Sequence, residues 1–133
     1  MQKVEHIGIA VKSLTTAIPL CEKLLNSKSY KTEKVETEKV NTAFLKTGET
    51  KIELLESIDP GGIIARFIEK KGEGIHHIAF EVADIETEVE RLKKEGFVVL
   101  DEIPKAGADN KMVCFLHPGH TSGVLIELCM EKK

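Results

Sequence analysis

Glu5-His6-Ile7-Gly8-Ile9-Ala10-Val11 and His76-His77-Ile78-Ala79-Phe80-Glu81-Val82 decide the fold, because they are two copies of one pattern. Each runs through a histidine, an aliphatic residue, a small residue, further strand-compatible positions and a closing valine. Alternation with period two is the signature of a strand with one covered face. Working outward from the first copy, Ser13 is placed to cap a helix over Leu14 to Leu25. Extended segments Asn41 to Leu45 and Lys51 to Leu55 come next, joined by a hairpin turn at Lys46-Thr47-Gly48-Glu49-Thr50, with a weaker strand in the Lys31 to Val40 region. Outward from the second copy, Asp84 caps a helix carrying Ile85, Val89 and Leu92 on one stripe, and Gly96 stands at its C-terminal end. Strands are expected at Phe97 to Leu100, Lys111 to His117 and Gly123 to Cys129.

Both halves therefore read β-α-β-β-β, and they agree in detail. Phe44 lies 38 residues after His6, and Phe115 lies 38 residues after His77. Ile52-Glu53-Leu54 returns as Ile126-Glu127-Leu128, offset by three residues because the second turn is longer. A tandem duplication accounts for all of these correspondences. The expected fold is α+β, with two tandem βαβββ modules forming a curved mixed sheet around a cleft and the helices on its outer face. The modules are expected at about residues 1–56 and 75–133 of a single domain. Between them, residues 57–74 form a linker bounded by Asp59-Pro60-Gly61-Gly62 and Lys71-Gly72-Glu73-Gly74, with Ile64, Phe67 and Ile68 at the spacing of a short helix.

Composition narrows the function. The 133 residues carry 19 Lys+Arg and 22 Asp+Glu, a net charge of −3, with 41% hydrophobic and 31% charged residues, which is ordinary for one globular domain. No apolar stretch approaches the ~20 residues that span a bilayer, and the N-terminus has no secretory pattern, so a cytoplasmic protein without membrane contact is expected. Cys21, Cys114 and Cys129 are widely spaced and form no C-x-x-C pair, which fits a reducing compartment. The acidic balance, with five Phe, one Tyr and no Trp, argues against nucleic-acid binding. A small-molecule enzyme or a binding module remains.

The strand period assigns faces. Ile7, Ile9 and Val11 turn toward a helix, leaving His6, Gly8 and Ala10 opposite; Ile78, Phe80 and Val82 do the same, leaving His77, Ala79 and Glu81. Ile52 and Leu54 face inward with Glu53 opposite, as do Ile126 and Leu128 with Glu127 opposite. A glutamate in the middle of a strand-forming run is against its propensity, and it occurs at the matched position in both halves. Duplicated modules related by an approximate two-fold axis would bring His6, Glu53, His77 and Glu127 around one divalent metal ion, with Gly8 and Ala79 supplying space. His76, on the opposite face from His77, reads as a packing or supporting group. His117 and His120 read as shaping the last turn or touching substrate, and Cys129 reads as filler. Lys105 and Lys111, in a predicted loop before the penultimate strand, are candidates to meet a phosphate-rich cofactor tail.

The chain resembles the vicinal oxygen chelate superfamily (glyoxalase, bleomycin resistance, dioxygenase) over nearly its whole length, and within it the methylmalonyl-CoA epimerase family most. The segments that carry this are Val4 to Val11, Thr50-Lys51-Ile52-Glu53-Leu54-Leu55, Gly74 to Val82, Phe115-Leu116-His117-Pro118, and Gly123 to Leu128. The resemblance implies metal ligands at His6, His77 and Glu127, with Glu53 where some epimerases have Gln. It also implies a catalytic acid/base at Glu127, and a second one near Thr42, where this chain has no carboxylate, leaving Glu53 or a group not yet recognised for that role. The implied activity is that of an isomerase that epimerises methylmalonyl-CoA through a metal-stabilised enediolate, using cobalt, manganese, nickel, zinc or magnesium. An acyl-CoA thioester is then the partner, and a homodimer is expected. The His, Glu, His, Glu quartet also resembles glyoxalase I, a lactoylglutathione lyase acting on a glutathione hemithioacetal. A non-catalytic small-molecule binder of the same fold is the third alternative.

Overall fold

A computed structural model of the chain describes residues 1–101 and 103–132. The chain divides into two compact units, one of His6–His76 and one of Met1–Glu5 with His77–Lys133. In the first, β1 (Lys3–Ala10), of which His6 onward belongs here, leads to α1 (Leu14–Leu25), β2 (Lys31–Val35), β3 (Val40–Thr47), β4 (Thr50–Ser57) and α2 (Ile63–Lys71). The strands lie in the order β2-β3-β4-β1, with β2/β3 and β3/β4 antiparallel and β1/β4 parallel. The parallel pair is the mark of a crossover connection. Gly48 takes φ +64 in a two-residue hairpin loop, tighter than the five-residue turn expected. The weak strand is confined to its first five residues, because the chain turns at Lys39 (φ +56) to start the hairpin.

Ile9, Val11, Ala43, Leu45, Ile52 and Leu54 pack against Leu14, Ala17, Ile18, Cys21 and Leu25 of α1. The face expected to be covered by a helix is covered by one. α1 ends at Asn26, which takes the left-handed conformation (φ 51) that polar Asn tolerates.

The second unit repeats the plan with β5 (Gly74–Glu81), whose residues from His77 onward belong here, then α3 (Ile85–Lys94), β6 (Lys105–Ala106), β7 (Lys111–Leu116) and β8 (Ile126–Glu131). The order is β5-β8-β7-β6, with β5/β8 parallel and the others antiparallel. Ile85, Val89 and Leu92 of α3 pack on Val82, Cys114, Leu116 and Leu128. One expectation is corrected: Phe97 to Leu100 is not a strand. Val99 makes a single bridge to Leu116, while Phe97 and Val99 pack against the core, so their alternation reflects side-chain burial rather than a ladder. The edge strand is instead Lys105–Ala106. No helix among the described residues is long and apolar enough to cross a membrane.

Candidate functional site

In the first unit Glu53 stands opposite Gly8 on one side and opposite Phe44 on the other, so Gly8, Glu53 and Phe44 form one row across the sheet. His6 is two residues before Gly8 and shares its face. Gly8 has no side chain, which leaves the space above it to the two longer groups, and His6 Nε2 meets Glu53 Oε1 at 3.3 Å. Both are buried, at 5% and 4% exposure.

The second unit builds the same row. Glu127 stands opposite Ala79 and Phe115, and His77 Nε2 lies 3.2 Å from Glu127 Oε1. The Phe115 ring meets the imidazole edge-on, centroids 5.8 Å apart at 87°, which fixes the plane of His77. Ala79, Val113, Phe115, Leu125 and Cys129 form the apolar floor of this face.

The donor set of each pair fits a divalent ion. Ligand bonds of about 2.1 Å meeting at right angles place neighbouring donor atoms about 3 Å apart, close to the nitrogen–oxygen spacings of these pairs. Imidazole nitrogen with carboxylate oxygen is also the mixture that first-row divalent metals accept. Each pair buries a carboxylate next to an imidazole, an arrangement that costs desolvation and is retained in both copies.

The other residues singled out by the sequence fall in varied places, judged by their contacts. Thr42 is fully buried and its hydroxyl donates to the Glu33 carbonyl at 3.1 Å, so it stitches β3 to β2 and has no acid/base capacity. Lys111 opens β7, where the expected strand Lys111 to His117 begins, and not the loop before it; it is 4% exposed and its ammonium donates to Glu131 across the ladder, so its assignment to a loop that meets a cofactor tail is corrected. Lys105 lies on the edge strand, its ammonium 5.6 Å from the centre of the Phe115 ring. His76 packs edge-on against Phe67 of α2, at 5.0 Å, as a packing group should. His117 Nδ1 accepts from the Gly119 amide at 2.9 Å and so shapes the 3-10 turn Pro118–His120. Cys129 is wholly buried; burial raises its thiol pKa, and Glu127 and Glu5 push it further. Glu5, 2% exposed on β1, is a buried carboxylate that the strand-face pattern does not single out. Its place beside His6 in the first quoted stretch is the available signal.

With this geometry in view, comparison with known proteins gives a consistent result. The profile of the glyoxalase/bleomycin resistance protein/dioxygenase superfamily matches residues 5–115. The chain is 39% identical to the uncharacterized protein YqjC of Bacillus subtilis, covering 99% of this chain and 94% of that one. It is also 39% identical to the ethylmalonyl-CoA/methylmalonyl-CoA epimerase of Cereibacter sphaeroides, over 95% and 96% of the two chains. A methylmalonyl-CoA epimerase from Streptomyces coelicolor, solved in complex with 2-nitronate-propionyl-CoA, superimposes with a TM-score of 0.93 at 29% identity, covering 100% and 99%.

Proposed function

The chain belongs to the glyoxalase/bleomycin resistance protein/dioxygenase superfamily, and from that premise we propose that it is a metal-dependent epimerase interconverting the stereoisomers of methylmalonyl-CoA. The observation that carries this reading is the repeated row, His6 with Glu53 and His77 with Glu127, each a buried imidazole–carboxylate pair at the same register of its module. The names of the relatives supply the substrate class.

In this proposal His6, Glu53, His77 and Glu127 hold one divalent ion of the cobalt, manganese, nickel, zinc or magnesium type. When bound, the ion supplies Lewis-acid stabilisation, worth several kcal/mol, to the negative charge that develops on the thioester oxygen. The residues of the chain do the rest. Epimerisation removes the proton next to the carbonyl on one face and returns one on the other, so two groups that carry protons are required. Glu127 and Glu53 are the two carboxylates that the duplication provides, and burial at about 5% exposure keeps water from competing for the proton. Thr42 takes no proton, which leaves the second role to Glu53. Phe115 keeps the His77 ring from rotating as charge moves. Three free cysteines, two of them buried, agree with a cytoplasmic location.

Incubation of metal-loaded protein with methylmalonyl-CoA in heavy water tests the reading. Exchange of the α-proton well above the protein-free rate is expected, with a drop of about 10²- to 10⁴-fold in Glu127→Gln and in Glu53→Gln. Absence of exchange by the loaded protein rejects this substrate. Metal content of folded His77→Ala, measured by elemental analysis, is expected to fall; an unchanged content rejects the ligand assignment.

A further inference from the structure

Lys105 occupies an unusual position for an edge-strand lysine. β6 has only two residues, and Lys105 stands opposite Val113, two residues before Phe115 on the same face. The side chain leans along the sheet until its ammonium sits 5.6 Å from the centre of the Phe115 ring, the ring that also meets His77 edge-on. One aromatic ring thus separates a cation from an imidazole of the candidate site. The strand is held tightly in this place: a Cβ at Gly107, just after β6, would come within 2.9 Å of Val113 Cγ1, so only glycine lets the edge approach this closely.

Among the described residues the charge is only loosely answered. Asp101 Oδ2 is 3.8 Å from Nζ, at the outer limit of an ion pair, and the lysine side chain keeps 39% of its surface exposed. Such a pair contributes little, and an anion in direct hydrogen-bonding contact outcompetes it. Lys111, on the same face, is in contrast buried and bonded to Glu131. The surroundings of Lys105 are the apolar row Val113 and Phe115 leading to His77, which suits a ligand with an uncharged chain between a reacting end and an anionic group.

From this we infer that Lys105 is a substrate-recognition residue that receives an anionic group of the acyl thioester, either its free carboxylate or a phosphate of its nucleotide tail. The inference rests on the acyl-CoA reading above and names the residue that recognises the substrate's charge. Its ammonium then contributes chiefly to binding, so its loss raises KM and leaves kcat near its original value.

The test is calorimetric titration of metal-loaded protein with two ligands that do not turn over: coenzyme A, which has the phosphates but no acyl carboxylate, and malonyl-pantetheine, which has the carboxylate but no phosphates. Lys105→Ala is expected to weaken one of them on the order of fivefold at low salt, Lys105→Glu by more, and Lys105→Arg by less than about twofold. The loss is expected to shrink as salt is raised. The ligand affected identifies the group that Lys105 meets. If the original protein binds either ligand and Lys105→Glu binds both as tightly as before, the inference is overturned while the acyl-CoA reading stands. If the original protein binds neither, the acyl-CoA reading fails and the inference falls with it.

Discussion

The duplicated helices offer a controlled experiment on capping. Ser13 before α1 and Asp84 before α3 occupy the same position in their modules and have nearly the same extended backbone, φ −151, ψ 123 and φ −141, ψ 106. Only the side chains behave differently. The Ser13 hydroxyl makes no capping hydrogen bond, whereas Asp84 Oδ1 accepts from the Glu86 amide at 3.2 Å and the Thr87 amide at 3.5 Å, and Oδ2 accepts from the Thr87 hydroxyl at 2.9 Å. A carboxylate at a helix N-terminus also meets the favourable end of the macrodipole. Asp84→Ala is therefore expected to cost about 1 kcal/mol, and Ser13→Ala no more than about 0.3 kcal/mol. Unfolding entropy of about 2.1 cal/mol/K per residue converts the first into a fall of roughly 4 °C in Tm for a chain of 133 residues, and the second into about 1 °C. Thermal unfolding followed by circular dichroism, with urea titration as a second measure, reads both. Equal losses at the two positions, or an Asp84→Ala shift below about 1 °C, refute the reasoning, since backbone geometry alone would then set the helix start.

Two further expectations concern buried groups. Burial, with Asp101 nearby, pushes the Cys114 thiol from 9.0 up to about 11, and burial raises Cys129 as well, so iodoacetamide at pH 8 should label the half-buried Cys21 first. Peptide mass spectrometry showing equally fast labelling of Cys114 or Cys129 in folded protein contradicts this. Because the folded state holds the Cys114 proton longer than the unfolded state does, its contribution is fully present below pH 9 and is lost as pH rises toward 11. The urea midpoint should fall between pH 8 and pH 10, and less so in Cys114→Ala. Thr42→Val removes the hydroxyl that donates to the Glu33 carbonyl and should cost about 1 kcal/mol of stability while proton exchange on methylmalonyl-CoA persists. A loss of exchange beyond a hundredfold in folded protein places Thr42 in the chemistry.

The legible part of the fold is the part governed by side-chain periods. The two quoted strands, the helix over Leu14–Leu25 and the apolar stripe Ile85, Val89, Leu92 are each set by burial of a regular face, and burial is written in residue type. Phe97 to Leu100 misleads for the same reason, because Phe97 and Val99 are half-buried against the core while the segment makes only a single bridge, at Val99, and no ladder. Lys105–Ala106 is invisible in the sequence because two residues cannot display a period. Lys111 stands at the first position of an expected strand, but its burial is not legible there because its partner, Glu131, is 20 residues away and only the β7/β8 register brings them together. Ser13 and Asp84 look alike because hydrogen-bond geometry at a cap is decided by side-chain orientation after the helix is docked.

The site is legible for a less direct reason. Glu53 and Glu127 stand at different distances along the chain from their histidines, since the loop between β7 and β8 runs from 117 to 125 while that between β3 and β4 is two residues. Yet the ladders set both glutamates opposite the small residue two positions after the histidine, Gly8 or Ala79. Loop length cannot enforce that equivalence; the flanking residues do. Ile52 and Leu54 must face α1, and Ile126 and Leu128 must face α3. A slip of one residue in β4 or β8 would carry the glutamate into that apolar layer and turn both aliphatic side chains out of it, an exchange that costs several kcal/mol in lost burial alone. The residues that aim Glu53 and Glu127 at the histidines are therefore their core-facing neighbours, and the hydrophobic pattern around each glutamate specifies the site as firmly as the glutamate does.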